Sequence, residues 1–512
     1  MAQGYLLGVD IGTYESKGVL ATTDGRVVCT QVKSHNLSIP RPGWAEHDAE
    51  RDWWGDFCSL TRGLLAESGV SPSSILAVGC SAIGPDMLPV DARCRPLRPA
   101  VLYGIDTRAT REIADLEALF GREAIYRRCG TVLSAQSVGP KILWLKRNEP
   151  ENYRRAHRFV GATSFLVARL TGRYVIDHYS CASFDPMYDA GTGRWAEDLC
   201  RPIVEPERLP EIVWTTEVAG SVTKEAAAET GLAAGTPVIA GTIDAAAEAV
   251  SVGVVAPGQM MVMYGSTLFM IEVLDRRLTH PQLWSAPYLF PSRYAMMGGM
   301  ATSGALTKWF RDNFARELTE QESRTGRNAY ATLAAEAKTV PPGAGGLVVL
   351  PYFSGERTPI NDPQARGLVF GLTLAHSRAH VYRAMLEAVG YGIRHHLEVL
   401  EDAGAAPRTL RSVGGGTKNP LWLQIVSDIC GKPQEVPAVT TGAAYGDAFL
   451  AGLGVGVFSS DEAIHTWVRD VLRVEPDLAN TARYRPLYEL YLDLYRRNKD
   501  VMHALSRVQV TC

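Results

Sequence analysis

A chain of 512 residues, 46% hydrophobic and 21% charged, has the composition of a soluble globular protein and is too long for one compact core, so two large domains are expected. A formal net charge of -3 with no Lys/Arg-rich block leaves no electrostatic footprint for nucleic acid or for an anionic membrane surface. Nine cysteines, an odd number without a CxxC pair, fit reduced thiols rather than a disulfide framework or zinc site, and the cytoplasm is the expected compartment.

The first ten residues lack the basic and long apolar regions of a secretion signal and read as the approach to a strand. The longest apolar stretch, 238–255, is interrupted by Asp244 and Glu248 and is not a membrane span. Strands are predicted over 6–10 and 18–21 around a Gly12-Thr13 turn, then over 27–32 after an Asp24-Gly25 hairpin signal. A helix is predicted over 48–68 and another start at 71–74, followed by strands at 76–81 and 101–103. After Pro257-Gly258 the opening logic returns: a strand over 260–264, a Gly265-Ser266-Thr267 turn, and a strand over 268–273. Further strands are expected at 294–298, 347–350 and 410–413, and helices at 303–314, 380–400, 420–430 and 484–505. Strands alternating with helices define an α/β protein, and two phosphate-sized turns at corresponding points suggest paired domains.

Four motifs could carry chemistry. In Gly8-Val9-Asp10-Ile11-Gly12-Thr13-Tyr14-Glu15-Ser16-Lys17 a carboxylate ends a strand, and a tight turn then offers N–H groups, a hydroxyl and a lysine. Successive N–H groups make an anion-binding concavity, and a carboxylate suits Mg²⁺ directly or through water. The same residues also make an ordinary hairpin. Gly265-Ser266-Thr267 reads either as a second such turn or as a simple β-turn. The glycines of Val413-Gly414-Gly415-Gly416-Thr417-Lys418-Asn419-Pro420 would let a flat ligand or phosphate approach the backbone, and equally make a plain connection. In Ala240-Gly241-Thr242-Ile243-Asp244-Ala245, Asp244 is either a helix cap or a general base. There is no Walker loop, no GxGxxG and no HExxH. His376 and His380 read as helix-start residues, and Glu387 and the segment around Lys141 as structural.

Taken in this order the segments resemble the FGGY carbohydrate kinases, a branch of the actin-like ATPases. The most specific stretches are Gly367-Leu368-Val369-Phe370-Gly371-Leu372, followed by His380-Val381-Tyr382-Arg383-Ala384-Met385-Leu386-Glu387, and Tyr352-Phe353-Ser354-Gly355-Glu356-Arg357-Thr358-Pro359. The resemblance implies two actin-like, ribonuclease H-like domains with mixed sheets flanked by helices, divided as 1–250 and 251–512, with ATP and sugar in the cleft between them. It implies Asp10, Gly12, Thr13 and Lys17 in a first phosphate loop, with Asp10 near Mg²⁺. Gly265 and Ser266 would form the second loop, and Gly304, Lys308, Gly415 and Asn419 would contact nucleotide. Asp244 falls on the family's general base. A homodimer is what similar kinases often form.

Length, the segment Pro140-Lys141-Ile142-Leu143-Trp144 and Leu97-Arg98-Pro99-Ala100 are most similar to the xylulokinase branch, which implies phosphorylation of D-xylulose at its 5-hydroxyl. That branch usually carries Gln-Met-His-Gly at the sugar, where this chain has Ile83-Gly84-Pro85-Asp86. Gly84, Pro85 and Asp86 are therefore expected sugar contacts, and Asp106 is the expected second contact, in Tyr103-Gly104-Ile105-Asp106-Thr107-Arg108, which resembles the family's Trp-Asn-Asp-x-Arg with one residue more. Ribulose, erythritol and glycerol remain alternative acceptors, and a non-catalytic ATP-binding sensor is the rival class, prompted by bulky Tyr14 and acidic Glu15 in the first loop.

Overall fold

The structure of this protein is a computed structural model in which residues 4–438, 441–469 and 471–511 are described. Residues 1–3 of the opening segment and Cys512 lie outside them. The chain divides into two compact units: 1–257 with 273–295 and 441–469, and 258–272 with 296–440 and 470–512. A single boundary at 250 therefore misses the helix Ala443–Gly454, which packs on the sheet of the first unit.

In that sheet the strands run Val218–Ser221, Pro237–Ile239, Ile75–Ala82, Tyr5–Ile11, Glu15–Thr22, Val27–Ser34, with Thr242–Ile243 also pairing Ile75–Ala82. Leu6, Leu7, Val9 and Ile11 are all wholly buried, as a strand covered on both faces requires. One cover is Gly55–Ser68, whose Leu60 and Leu64 fill the space a side chain at Gly18 would need. The other is Ala443–Gly454. A Cβ on Gly8 would stand 1.9 Å from the Ala444 carbonyl oxygen, and one on Gly79 2.3 Å from that of Asp447. The helix backbone thus lies directly on two neighbouring strands, a docking that only glycine permits.

The helix expected over 48–68 opens with a π turn, Ala49–Trp54, capped by Asp48 and continued by Gly55–Ser68. Residues 71–74 give only the 3₁₀ turn Pro72–Ser74 before the strand begins at Ile75, and the strand expected at 101–103 is the short Ala100–Val101. The expected strands over 6–10, 18–21 and 27–32 are present and slightly longer.

In the second unit Tyr294–Met300, Leu268–Leu274, Gln259–Tyr264, Thr409–Val413, Gln434–Pro437 and Val471–Val474 lie side by side in that order. Gln259–Tyr264 is antiparallel to Leu268–Leu274 and parallel to Thr409–Val413. Tyr5–Ile11 makes the same pair of connections, antiparallel to Glu15–Thr22 and parallel to Ile75–Ala82. The repeat suggested by two short turns therefore extends to strand pairing. Helices Gly304–Phe314, Arg378–Asp402 and Pro420–Cys430 stand where expected, and the last begins earlier than predicted, as Leu478–Thr511. Among the described residues no helix is long and apolar enough to cross a membrane, and the eight described cysteines are free.

Candidate active site

Three parallel strands in the first unit end together. Asp10 is in register with Ser81, and Thr242 with Ser81, so Ile11, Ala82 and Ile243 finish side by side. Neighbouring strands lie about 4.8 Å apart, and ligands of open α/β sheets bind beyond such carboxyl ends. Asp10 precedes the first turn, Gly84-Pro85-Asp86 follows the second strand, and Asp244 follows the third. The space at Gly84 is filled by Ile243, 2.7 Å from where a Cβ would sit, so these segments are packed against one another.

Asp244 is the first residue of helix Asp244–Ser251, not its cap. The cap is Ile243, which makes no side-chain bond, and Asp244 Oδ1 accepts only the adjacent Ala245 N–H at 2.7 Å. Burial, then the charge of Asp10, holds its carboxyl well above the usual range, with Glu248 and Asp86 adding to the effect. Burial raises Asp10 to about 6 against the opposing Ser81 bond and the Lys17 ammonium. Glu248 is pushed up to about 7 by burial and by Asp10. Gly442, at φ +85°, lies beside both groups: a Cβ there would come 3.1 Å from Glu248 Oε2 and 3.9 Å from Lys17 Nζ.

Ser81 and Asp447 belong to this cluster, and sequence reasoning missed both. Ser81 Oγ lies 3.0 Å from Asp10 Oδ1 and 2.7 Å from Asp447 Oδ2, with a single proton to give. Asp447 is completely buried and its Oδ1 has no partner; burial and the charge of Asp10 hold it well above the usual carboxylate range. A protonated Asp447 donates to Ser81 and leaves the Ser81 proton for Asp10. The one sequence signal was an aspartate inside an otherwise apolar helix, rarely buried unless it has a task.

In the first turn Gly12 N–H donates to Glu15 O at 3.0 Å, and a Cβ on Gly12 would meet that oxygen at 2.6 Å. Thr13 Oγ1 lies 3.0 Å from the Tyr103 hydroxyl, and Lys17 Nζ 3.9 Å from Glu15 Oε1. Tyr14 and Glu15 are exposed. Asp86 is buried, its Oδ1 accepting the Ala162 N–H at the start of helix Ala162–Thr171 and its Oδ2 unpartnered. Burial pushes it up to about 7.

Asp106, expected as a second sugar contact, is committed elsewhere. It accepts Ala45 N–H at 2.7 Å and the Arg108 guanidinium at 2.7–3.0 Å, and both side chains are fully buried. Arg108 is in turn 2.8 Å from Glu46 and sits over the rings of Trp44 and Trp144.

In the second unit the Gly265–Ser266 turn is knitted to the start of helix Gly304–Phe314. Gly304 N–H donates to Gly265 O at 2.9 Å, and Ser303 and Ala305 N–H to Ser266 O at 2.9 and 3.0 Å. Lys308, one turn on, is exposed and pairs with Asp312. Gly414, at φ +95°, is required by the fold, since a Cβ would meet Tyr264 O at 2.7 Å. Gly415 is not, because nothing lies within 4 Å of where its Cβ would be. Asn419 caps helix Pro420–Cys430 by accepting Trp422 N–H.

In each unit a tight glycine-bearing turn thus joins two antiparallel strands, Tyr5–Ile11 to Glu15–Thr22 and Gln259–Tyr264 to Leu268–Leu274. Residues 5–251 match the N-terminal domain and 260–455 the C-terminal domain of the FGGY family of carbohydrate kinases. The chain is 30% identical to the xylulose kinase of Escherichia coli (strain K12), over 96% of this chain and 98% of that one, and 31% identical to the glycerol kinase of Nocardia farcinica, over 91% and 93%. The crystal structure of xylulose kinase from Rhodospirillum rubrum superposes with a TM-score of 0.90 at 33% identity, covering 98% of this chain and all of that one. The chain belongs to the FGGY family of carbohydrate kinases, the sugar phosphotransferases, and has their two-domain fold.

Proposed function

We propose that this chain transfers the terminal phosphoryl group of ATP to a ketose hydroxyl, with D-xylulose, at its 5-hydroxyl, as the leading acceptor. The observation that carries the reading is the shared ending of three parallel strands, which brings Asp10, Gly84-Pro85-Asp86 and Asp244 beside one another. Asp244 orients the sugar hydroxyl and takes its proton while the new O–P bond forms and the bond to the departing ADP breaks. A carboxyl held above its ordinary range is a stronger base once ionised, which suits that step near neutral pH.

The nucleotide is assigned to Gly12, Thr13, Lys17, Gly265, Ser266, Gly304, Lys308, Gly415 and Asn419. The open face of Gly415 supports close approach of a flat base, since nothing in the protein itself demands glycine there. Among the described residues no three His, Cys, Asp or Glu side chains converge into a metal cage. A strand-end carboxylate such as Asp10 nonetheless fits Mg²⁺, which keeps several waters and needs only one or two carboxylates with substrate phosphates. Bound there, Mg²⁺ would neutralise charge developing on the transferred group.

A second reading, that the acceptor is another ketose or a polyol such as ribulose, erythritol or glycerol, is favoured by Pro85 and Asp86. A pyrrolidine ring donates no hydrogen bond, and a carboxylate accepts where the imidazole usual in the xylulokinase branch can donate. ADP release across a panel of these acceptors decides between them. Turnover on D-xylulose no faster than the background hydrolysis of ATP, beside clear turnover on another acceptor, would remove the first reading.

A further inference from the structure

His35, just past the strand Val27–Ser34, holds the first turn at two points. Its main-chain N–H donates to Tyr14 O at 3.0 Å, and its Nε2 lies 3.0 Å from Gly12 O. On the other side of the ring Nδ1 lies 2.9 Å from Asp56 Oδ2. Ser16 Oγ is also near Nδ1, at 3.4 Å, but its proton goes to the same Asp56 oxygen at 2.9 Å. A carbonyl and a carboxylate can only accept, so both ring nitrogens carry hydrogen and the ring is an imidazolium. The ring is 5% exposed and Asp56 2%.

The groups around the ring agree with that charge. Asp56, on helix Gly55–Ser68, is also gripped by Lys33 Nζ at 3.0 Å, and Asp52 of the π turn adds negative charge nearby. His47, on the short strand Glu46–His47, meets the ring edge-on at 5.0 Å and is pushed down to about 4 by burial, so it is neutral. Burial alone would lower His35; the bond to Asp56 and its charge outweigh that and raise it.

We infer that His35 is a positioning residue for phosphoryl transfer, a charged strut that fixes the peptide planes of the Gly12–Tyr14 turn. In a trans peptide the carbonyl and the following N–H point in opposite directions. Pinning the Gly12 carbonyl on His35 therefore turns the Thr13 N–H away from the ring, toward the side where an anion would be received. The strut rests on the reading of Gly12–Lys17 as a phosphate turn, and the experiment separates the two.

Steady-state kinetics would be run on His35→Leu, His35→Gln and Gly12→Ala, varying ATP and acceptor separately. Loss of a charge-assisted hydrogen bond predicts a rise of roughly tenfold in the ATP KM of His35→Leu. Its acceptor KM should stay within about twofold of wild type. His35→Gln, which keeps an N–H able to reach Gly12 O, should recover most of the ATP KM. Because the folded pKa of His35 lies above 6.5, the strut is complete below that value and lost as pH rises through the folded pKa. The wild-type ATP KM should therefore climb on the alkaline side, and that of His35→Gln should not. Nitrogen NMR of ¹⁵N-histidine-labelled wild-type protein at about pH 5.5, below the ordinary histidine value, should show both His35 ring nitrogens protonated, a readout that needs no variant to fold. A singly protonated His35, or an unchanged ATP KM in His35→Leu beside a raised one in Gly12→Ala, overturns the strut alone. An ATP KM unmoved in Gly12→Ala removes the phosphate-turn reading and the strut with it.

Discussion

Ser81 Oγ lies 2.7 Å from Asp447 Oδ2, on a residue 366 positions further along the chain, and 3.0 Å from Asp10 Oδ1. This hydrogen bond ties the helix Ala443–Gly454 to the end of the strand Ile75–Ala82, beside Asp10.

The relationship predicts how stability depends on pH. Asp447 is held above its ordinary value of 3.8, so the folded protein keeps a proton there that the unfolded chain gives up. Its contribution is fully present below 3.8 and is lost as pH rises toward the folded pKa. Asp447→Asn, neutral at every pH and able to donate to Ser81, should flatten that decline. The gain at pH 8 over wild type is about 1.4 kcal/mol for each pK unit removed. Denaturant melts of both proteins at pH 5 and pH 8 check it; parallel pH dependences would mean that Asp447 titrates normally.

How much of this was legible follows from the range of each signal. The strand–turn–strand units at Tyr5–Thr22 and Gln259–Leu274 announce themselves locally, as short apolar runs around small residues. Asp244 was visible as a carboxylate opening a helix, and cap and base look alike in sequence; the structure removes the cap reading, since the cap is Ile243. Ser81 has no meaning before Asp10 and Thr242 are brought into register with it. The helix Ala443–Gly454 went unseen because both its faces are covered, which removes the polar stripe that marks a surface helix. Asp106 misled for a related reason: a carboxylate's spare acceptor capacity is set by packing, and Arg108 and Ala45 had already used it.

Asp106→Asn accordingly tests architecture. Breaking a fully buried pair leaves the Arg108 guanidinium short of its counter-charge, a loss of about 3–5 kcal/mol. The thermal midpoint should fall well below wild type while the acceptor KM of the protein that remains folded is unchanged. A raised KM at an unchanged midpoint would return Asp106 to the sugar.

The acidic limb of the reaction should belong to the carboxylate cluster as a set. Asp244 must be ionised to act, yet burial, then Asp10 and Glu248 raise it; Asp10 itself sits at about 6 and Glu248 at about 7. kcat/KM for the acceptor should therefore rise as pH increases from 6 to 8, with apparent pKa values that belong to the coupled groups. Glu248→Gln removes one of the negative charges, so the limb should move to lower pH. A limb that stays in place would show that Glu248 does not reach the titrating base.

Asp244→Asn is the decisive substitution for the chemistry. The amide is the same size, and its oxygen can still accept the Ala245 N–H that Oδ1 accepts now, so the helix start should be undisturbed. It cannot take a proton from a sugar hydroxyl. Loss of a general base typically costs 10²–10⁴-fold, about 3–5 kcal/mol in the barrier, and should fall on kcat. ATP affinity, which the reading assigns to other side chains, should stay within about threefold, and removal of the charge beside Asp10 can only favour a polyphosphate. Phosphorylation assayed by ADP release, with ATP binding followed by calorimetry, separates the two effects. Turnover close to wild type would leave Asp244 a helix-start residue, and the base would have to be sought in Asp10, Asp86 or Glu248, whose raised carboxyls share its surroundings.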